Sequence, residues 1–529
     1  MKTWQDVASL YQIYPRSFRD TNGDGIGDLN GITEKLDYLA WLGVDGIWIS
    51  PFFVSPLTDF GYDIADYRAI DPTFGDLEDF RALLEKAHIL GIKVMIDLVP
   101  CHTSDQHPWF QEARSSRDNP RRNYYVWRDG RDGKEPNNWR SLSGGSSWEF
   151  DEQTGQFYLH SFLKTQPDLN WDNPAVRDEM KNVVRFWFDM GVDGMRVDAI
   201  WGISKDPEFG DDSPNPDFHG DPEAYGAFIH DHCKMGPHFQ EYLHELASVC
   251  DEYDDKQMVF EFYPDERLGD IYQQYHKVLT AHPKASAFFM EYRQDEWHAE
   301  HTGQKIEKYL QAAGSAKPFF CLGNHDQPRV ASRLGTERAR ALHFLSLLTP
   351  GVSVMYYGDE IGMINGELTT EDIQDNFSPA NSIIDSRNLE RTPMQWDDTR
   401  FAGFSEVKPW LPVNKNRAFV NVNSEKSSPA SMLNLHRALL RLRQEFPIIK
   451  NGTLNIVSST DTGNGFILGI KRELGREHAY IFINFADAPQ SFSIPENGRI
   501  LASTHPQYLL LGKDRQMTIP GYCGVLLIR

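Results

Sequence analysis

Val192-Asp193-Gly194-Met195-Arg196-Val197-Asp198-Ala199 is a short apolar run with an arginine and an aspartate towards its far end. Just before it, Pro174, Val176, Val183, Val184, Phe186 and Trp187 recur at helical spacing, so the pair reads as a helix followed by a strand. The same unit repeats on either side. Upstream lie the runs Leu10 to Tyr14, Val44 to Ser50 (VDGIWIS) and Val94 to Val99 (VMIDLV). Helical patterns separate them, one over Leu29 to Leu42 and one opened by Asp76, with Leu77, Phe80, Leu83, Leu84 and Ala87 on one face. Downstream lie Met258 to Tyr263, Ala287 to Tyr292, Phe319 to Gly323 and Val354 to Tyr357, with a last helix from Met432 to Phe446. Strands buried on both faces read as continuous apolar runs, and crossover helices impose parallel pairing. Eight such units in succession predict an α/β fold, a closed (β/α)8 TIM barrel. An open doubly wound sheet is the other arrangement of these units, but no Gly-rich fingerprint follows the first strand.

Two stretches break the rhythm. Residues 101–172 are polar and rich in Trp, Gly, Asn and Arg without a sustained period, which predicts a loop-rich subdomain inserted after strand three. Past residue 450 the pattern alternates, as in Ala479 to Phe485 (AYIFINF) and Ser491 to Ile494, and predicts a C-terminal all-β domain. The expected boundaries are 1–100 and 173–450 for the two parts of the barrel, 101–172 for the insertion and 451–529 for the β domain.

The 529 residues carry a formal charge of −23, which argues against a phosphate-binding surface or attachment to anionic lipid. No apolar run approaches the roughly 20 residues that span a bilayer. The opening Met1-Lys2-Thr3-Trp4-Gln5-Asp6 does not read as a leader, and the expected compartment is the cytoplasm. Cys101, Cys233, Cys250, Cys321 and Cys523 are scattered, with no CxxC pair, and read as reduced core thiols rather than a disulfide frame or a zinc site. Oligomeric state is left open.

Polar residues gather where such a barrel carries its chemistry, at the C-terminal strand ends. They include Asp97 to His102, Arg196 and Asp198, Glu261 between Phe260 and Phe262, Asn324-His325-Asp326, and Asp359-Glu360. One carboxylate there can cap a helix or pair an arginine; several converging on one mouth point to catalysis.

Seven segments, in order, resemble the α-amylase family of glycoside hydrolases, on its α-glucosidase and oligo-1,6-glucosidase branch. They are Tyr11 to Phe18 (YQIYPRSF), Gly61 to Ile64 (GYDI), Asp97 to His102 (DLVPCH), Gln166 to Trp171 (QPDLNW), Gly194 to Asp198 (GMRVD), Asn324 to Arg329 (NHDQPR) and Arg391 to Trp396 (RTPMQW). The resemblance covers essentially the whole chain. It implies a retaining, exo-acting α-glucosidase that releases glucose from the non-reducing end of small oligosaccharides or other α-glucosides, through a covalent glycosyl-enzyme. Asp198 would be the nucleophile, Glu261 the acid/base and Asp326 the third carboxylate, gripping sugar hydroxyls. Arg196 shares a strand face with Asp198 and would hold it ionised. Phe260 and Phe262 would give Glu261 an apolar setting that keeps it protonated, unless both turn outward into the helix layer.

His102 and His325 match the family's hydroxyl-binding histidines. Asp59 paired with Arg387 would close the pocket beyond the non-reducing end, with Tyr62 stacked on the terminal glucose and Phe162 in the same wall. Ala199 follows the nucleophile where 1,6-preferring relatives commonly carry Val, which tilts the expectation to α-1,4 over α-1,6 linkages. Oligo-1,6-glucosidase action, transglycosylation and sucrose conversion are the alternatives on this scaffold. A catalytically dead relative would tend to lose the carboxylates.

Asp20-Thr21-Asn22-Gly23-Asp24-Gly25-Ile26-Gly27-Asp28 has the D-x-N-x-D-G grammar of a calcium loop, without the glutamate at position twelve of an EF-hand. It resembles the divalent-cation loop of the glucosidase branch, which implies Asp20, Asn22, Asp24, the Ile26 carbonyl and Asp28 as ligands of a structural ion, Ca2+ with Mg2+ as the alternative. No organic cofactor is implied. Two positions depart from the family: Cys101 replaces the usual Asn before His102, and Phe260 replaces the usual Gly before Glu261. The first is expected to cost a contact to the next loop, the second to reshape the aglycone side.

Overall fold

The computed structural model describes residues 2–291, 297–377, 386–457, 462–505, 510–511 and 515–529. Eight strands pair in parallel and close on themselves in sequence order. They are β1 (Ser9–Ile13), β2 (Gly46–Ile49), β3 (Lys93–Leu98), β4 (Gly194–Val197), β5 (Gln257–Phe260), β6 (Ala285–Phe289), β7 (Phe319–Cys321) and β8 (Val352–Tyr356). The apolar runs locate every strand, and the ends shift by at most three residues. The expected end of β6, Tyr292, lies outside the described residues. β8 begins two residues early because Gly351, at φ 86°, turns the chain into the sheet there.

Parity decides what each strand residue meets. Leu10, Trp48, Met95, Val259, Phe288, Phe319 and Val354 fill the barrel interior. Residues of the opposite parity, such as Met258 and Phe260, join Leu39, Leu84, Val184 and Phe239 between strands and helices. Burying each large apolar side chain contributes about 1.5–3 kcal/mol, so a one-residue slip of a strand would lose several such terms. Helix ends follow local chemistry. Asp28 accepts from the Gly31 N–H at 2.7 Å to start the helix Leu29–Leu42, and Asn173 starts Pro174–Met190 through the Ala175 N–H. Gly43 (φ 98°) and Gly191 (φ 113°) end them.

The insertion after β3 holds a three-stranded antiparallel sheet of Trp127–Arg128, Gln156–Leu159 and Trp148–Asp151. A second excursion has no counterpart in the sequence reading. Residues 199–238, between β4 and the helix Phe239–Ala247, lie against the insertion: Trp139 Nε1 donates to the Gly210 carbonyl at 2.8 Å, and Arg140 pairs with Glu223 at 3.0 Å. Polar, Asp- and Pro-rich residues without a period gave no sign of this packing.

The C-terminal domain has a five-stranded antiparallel sheet, in the order Thr453–Val457, Ile467–Leu474, Glu477–Asn484, Gly524–Ile528, Arg499–Ser503, and a smaller three-stranded one. Buried Arg472 joins it to the barrel, donating to the carbonyls of Leu348 at 2.5 Å and Gly452 at 2.8 Å. Among the described residues no helix is long and apolar enough to cross a membrane.

Candidate active site

β3, β4 and β5 are neighbours, and their inward parity delivers Asp97, Asp198 and Glu261 to one place. Asp198 and Glu261 each stand one residue past a strand but continue its ladder, donating N–H to the carbonyls of Leu98 and Val197, both at 2.8 Å. Their side chains meet on one guanidinium. Arg196 Nη1 lies 2.5 Å from Asp198 Oδ1 and 3.2 Å from Asp97 Oδ2, and Nη2 lies 2.5 Å from Glu261 Oε1. Because one planar fork bridges them, those oxygens of Asp198 and Glu261 are at most roughly 7 Å apart. Glu261 also accepts from the Ala199 N–H at 3.2 Å and the Tyr263 hydroxyl at 3.1 Å. Ala199 takes the left-handed conformation, φ 44°, so backbone strain sits directly beside Asp198.

Three carboxylates share one buried cation here, an arrangement that favours keeping a proton in the group. Burial pushes Asp97 up to about 6, against the pull of Arg196 and hydrogen bonds from Tyr62 and Trp48. Burial also pushes Asp198 up; Arg196 opposes this, while Glu261 and Asp97 add to it. The phenylalanines beside Glu261 do not make its setting. Phe262 packs in the helix layer on Phe239 and Tyr275, with ring centroids 6.3 and 5.7 Å away, and Phe260 shares its parity and its core cluster. The expectation that Phe260 adds bulk on the aglycone side is therefore corrected: strand parity points it away.

Beside this group lies a second one. Asp326 meets Arg391 Nη2 at 2.6 Å, His325 Nε2 at 3.2 Å and Arg387 Nη1 at 3.3 Å. Burial alone would raise Asp326, but His325, Arg391 and Arg387 outweigh it and hold the carboxyl well below the usual range. Arg387 Nη2 reaches Asp59 at 2.6 Å and Asp375 at 2.7 Å. Burial lowers the basicity of His325, and its Nδ1 faces the Gln12 amide nitrogen at 2.7 Å, so Nδ1 accepts and Nε2 carries the proton, 3.2 Å from Asp326 Oδ2 but not aligned into a hydrogen bond. Tyr62 stacks on His325 at 5.2 Å and 4°, and donates its hydroxyl to Asp97 at 2.7 Å, linking the two groups.

Both groups open on a single cavity of about 430 Å³. Asp198, Glu261, Asp326, Asp59, Arg387, Tyr62, His102 and Phe162 line it; Arg196 and His325 stand behind the wall and position what lines it. His102 is buried, with Nε2 3.0 Å from the Tyr62 carbonyl and Nδ1 without a hydrogen-bond partner among the described residues, and its ring meets Phe162 at 4.9 Å. A cavity with acids at its wall and aromatic faces beside them suits a pyranose, whose edges are polar and faces apolar.

Residues 12–452 match the profile described as alpha amylase, catalytic domain. The chain belongs to the α-amylase family. It is 39 % identical to an oligo-1,6-glucosidase of Parageobacillus thermoglucosidasius, over 94 % of this chain and 93 % of that one. It is also 39 % identical to a probable alpha-glucosidase of Rhizobium meliloti, over 93 % and 91 %. The solved structure of the alpha-glucosyl transfer enzyme XgtA superposes with a TM-score of 0.91 at 35 % identity, covering all of both chains. The chain is thus a glycoside hydrolase of this family, of the glucosidase or transglucosidase kind.

Family motifs in the sequence pointed to the three carboxylates but not to what holds them. Arg391, Asp375 and Tyr263 were not read as site residues, and Asp97 was counted at the barrel mouth but given no role. Asp97 left a signal, as the only charge inside the apolar run VMIDLV; Asp375 left none, since its partner Arg387 is not on the same element. Gln166, within the QPDLNW segment, donates to Asp59 at 2.9 Å and lies 3.1 Å from His102 Nε2, tying the insertion to the pocket. Trp201, Tyr225 and Lys234 reach the cavity from the unforeseen excursion. Cys101 is fully buried against Phe162, Ala199 and Trp201 and donates no hydrogen bond to the next loop; that loop is held by Lys205, 2.9 Å from Asp168.

In the Asp20–Asp28 loop the carboxylates face inward on the turn. Asp20 accepts from the N–H groups of Gly23 (2.7 Å) and Gly25 (2.9 Å) and from Ser405, Asp24 from the Ile26 N–H, and Asp28 from Thr21 and Gly31. Asp20 Oδ1, Asp24 Oδ1 and Asp28 Oδ2 each accept one hydrogen bond and keep a second lone pair, and the all-oxygen donor set suits a hard divalent cation.

Proposed function

We propose that this enzyme is a retaining, exo-acting α-glucosidase that releases glucose from the non-reducing end of short α-glucosides, with α-1,4 linkages preferred over α-1,6. The observation that carries the reading is the joining of Asp198 and Glu261 across Arg196 in a cavity whose wall includes the buried Asp59–Arg387 ion pair. Asp198 attacks the anomeric carbon while Glu261 gives its proton to the departing oxygen. Glu261 then takes a proton from water, which displaces Asp198 and restores both groups. Asp326, kept ionised by two arginines, grips sugar hydroxyls. Ala199 in the cavity wall supports the α-1,4 preference.

Incubation with maltose, isomaltose, sucrose and soluble starch, followed by sugar analysis, tests this. Glucose should appear first and fastest from maltose. Oligomers released first from starch would overturn the exo reading, and faster isomaltose cleavage would reverse the linkage preference. The likeness to an alpha-glucosyl transfer enzyme supports a second reading, in which a sugar or alcohol replaces water in the second step; glucosylated products accumulating at high substrate would establish it. We also propose Ca2+ in the Asp20–Asp28 loop, with Asp20, Asn22, Asp24, the Ile26 carbonyl and Asp28 as ligands in a structural role. Chelation should lower Tm before it lowers kcat, and an unchanged Tm would remove the ion from the account. The scattered, buried, unpaired cysteines support a reducing compartment such as the cytoplasm, which fractionation of the source cells would check.

A further inference from the structure

Away from the acids, three buried side chains of the 199–238 excursion turn toward one point. Asp212, His230 and Cys233 bring a carboxylate oxygen, a ring nitrogen and a sulfur within 4.8 Å of one another. His230 Nδ1 lies 3.5 Å from Asp212 Oδ2 and 3.5 Å from Cys233 Sγ. Its other nitrogen, Nε2, lies 2.9 Å from the Tyr225 carbonyl, which only accepts, so the ring proton is on Nε2 and Nδ1 offers a lone pair. Asp212 Oδ1 accepts the N–H groups of His232 and Cys233 at 2.8 and 3.2 Å, whereas Oδ2 has no hydrogen-bond partner among the described residues, although Asp212 is only 2 % exposed. The thiol brings one proton to two buried acceptors, which leaves one of them unsatisfied.

We propose that Asp212, His230 and Cys233 bind a zinc ion that clips the two arms of this excursion to each other, where they pack on the inserted subdomain. Tetrahedral Zn2+, with nitrogen at about 2.0–2.1 Å and sulfur at about 2.3 Å, sets its ligand atoms roughly 3.3–3.6 Å apart, which matches both separations from Nδ1. Thiolate, imidazole and carboxylate together select zinc over hard cations. On binding, the thiol proton leaves to solvent and water takes the fourth position. Cys233 packs in the core of Trp139 and Trp148, and Tyr225 stacks on His230 with centroids 3.8 Å apart. The ion therefore steadies Tyr225 and the adjacent Lys234, which line the substrate cavity.

The test uses the whole protein, stripped by a chelator and titrated with Co2+ alone. One ion per chain should bind with thiolate-to-cobalt charge-transfer absorption in the near ultraviolet, and Zn2+ should displace it. Cys233→Ser should abolish the band, and His230→Ala should weaken Co2+ binding by about 10- to 100-fold. Zinc loading should lower KM for a small aryl α-glucoside and leave kcat unchanged. No charge-transfer band in the unmodified protein overturns the site whatever the variants do, as does a band of full intensity in Cys233→Ser. An unchanged KM on loading overturns the clip.

Discussion

Two arginine-centred groups serve one cavity, joined through Tyr62, and they differ in charge. Around Arg196, one cation serves Asp97, Asp198 and Glu261; beside it, Arg387 and Arg391 serve Asp59, Asp326 and Asp375. Burial is common to both, so the balance of charges decides the outcome. Asp97 is pushed up to about 6, whereas Asp375, which burial alone would raise, is brought down to about 2 by Arg387 and its hydrogen bonds. A group short of cations stores a proton and can pass it on. A group with two cations holds fixed negative charge and can only grip. One site needs both kinds of carboxylate, and the supply of arginine creates the difference.

The sharpest way to break this contrast is Asp198→Asn, which removes the proposed nucleophile and keeps its shape. Single-turnover kinetics should show kcat down by on the order of 10⁴-fold or more, with the fold intact by circular dichroism. A loss below tenfold would end the two-carboxylate account. Next in size is Arg387→Ala in the gripping group. It strands Asp59 and Asp375 as buried charges and should cost about 10²-fold in kcat/KM for maltose, mostly through KM. A change confined to kcat would place Arg387 in the proton-handling group instead.

Asp97→Asn should act in the opposite sense to a loss of cation. Removing a negative neighbour favours the ionised form of Asp198, so the pH profile of kcat/KM should move to lower pH by about one unit. A shift to higher pH would contradict the shared-charge argument. The smallest effect expected is on stability. Asp63 and Asp97 titrate at about 6, Asp359 at about 7 and Glu390 at about 8, all raised first by burial. Between the unfolded and folded values the native state binds more protons, so stability falls as pH rises from about 4 to about 8, with Asp359 and Glu390 carrying the part above pH 6. Tm should therefore climb by a few degrees from pH 8 to pH 6. Asp375 works the other way, contributing stability above about pH 4 that is lost only as pH falls towards 2.

The sequence by itself determined the eight-unit order, the insertion after β3 and the β domain, and its motifs pointed to three carboxylates that the structure brings to one cavity. Local patterns suffice there because period and composition are properties of neighbours along the chain. It also carried the Asp59–Arg387 pair, but only through resemblance, since 328 residues separate the two partners. Tertiary structure alone decided which way Phe260 points, which carboxylates share Arg196, and that residues 199–238 reach the cavity. Those outcomes depend on strand parity relative to a closed barrel and on the count of charges within a few ångströms. Neither quantity exists until distant segments have packed together.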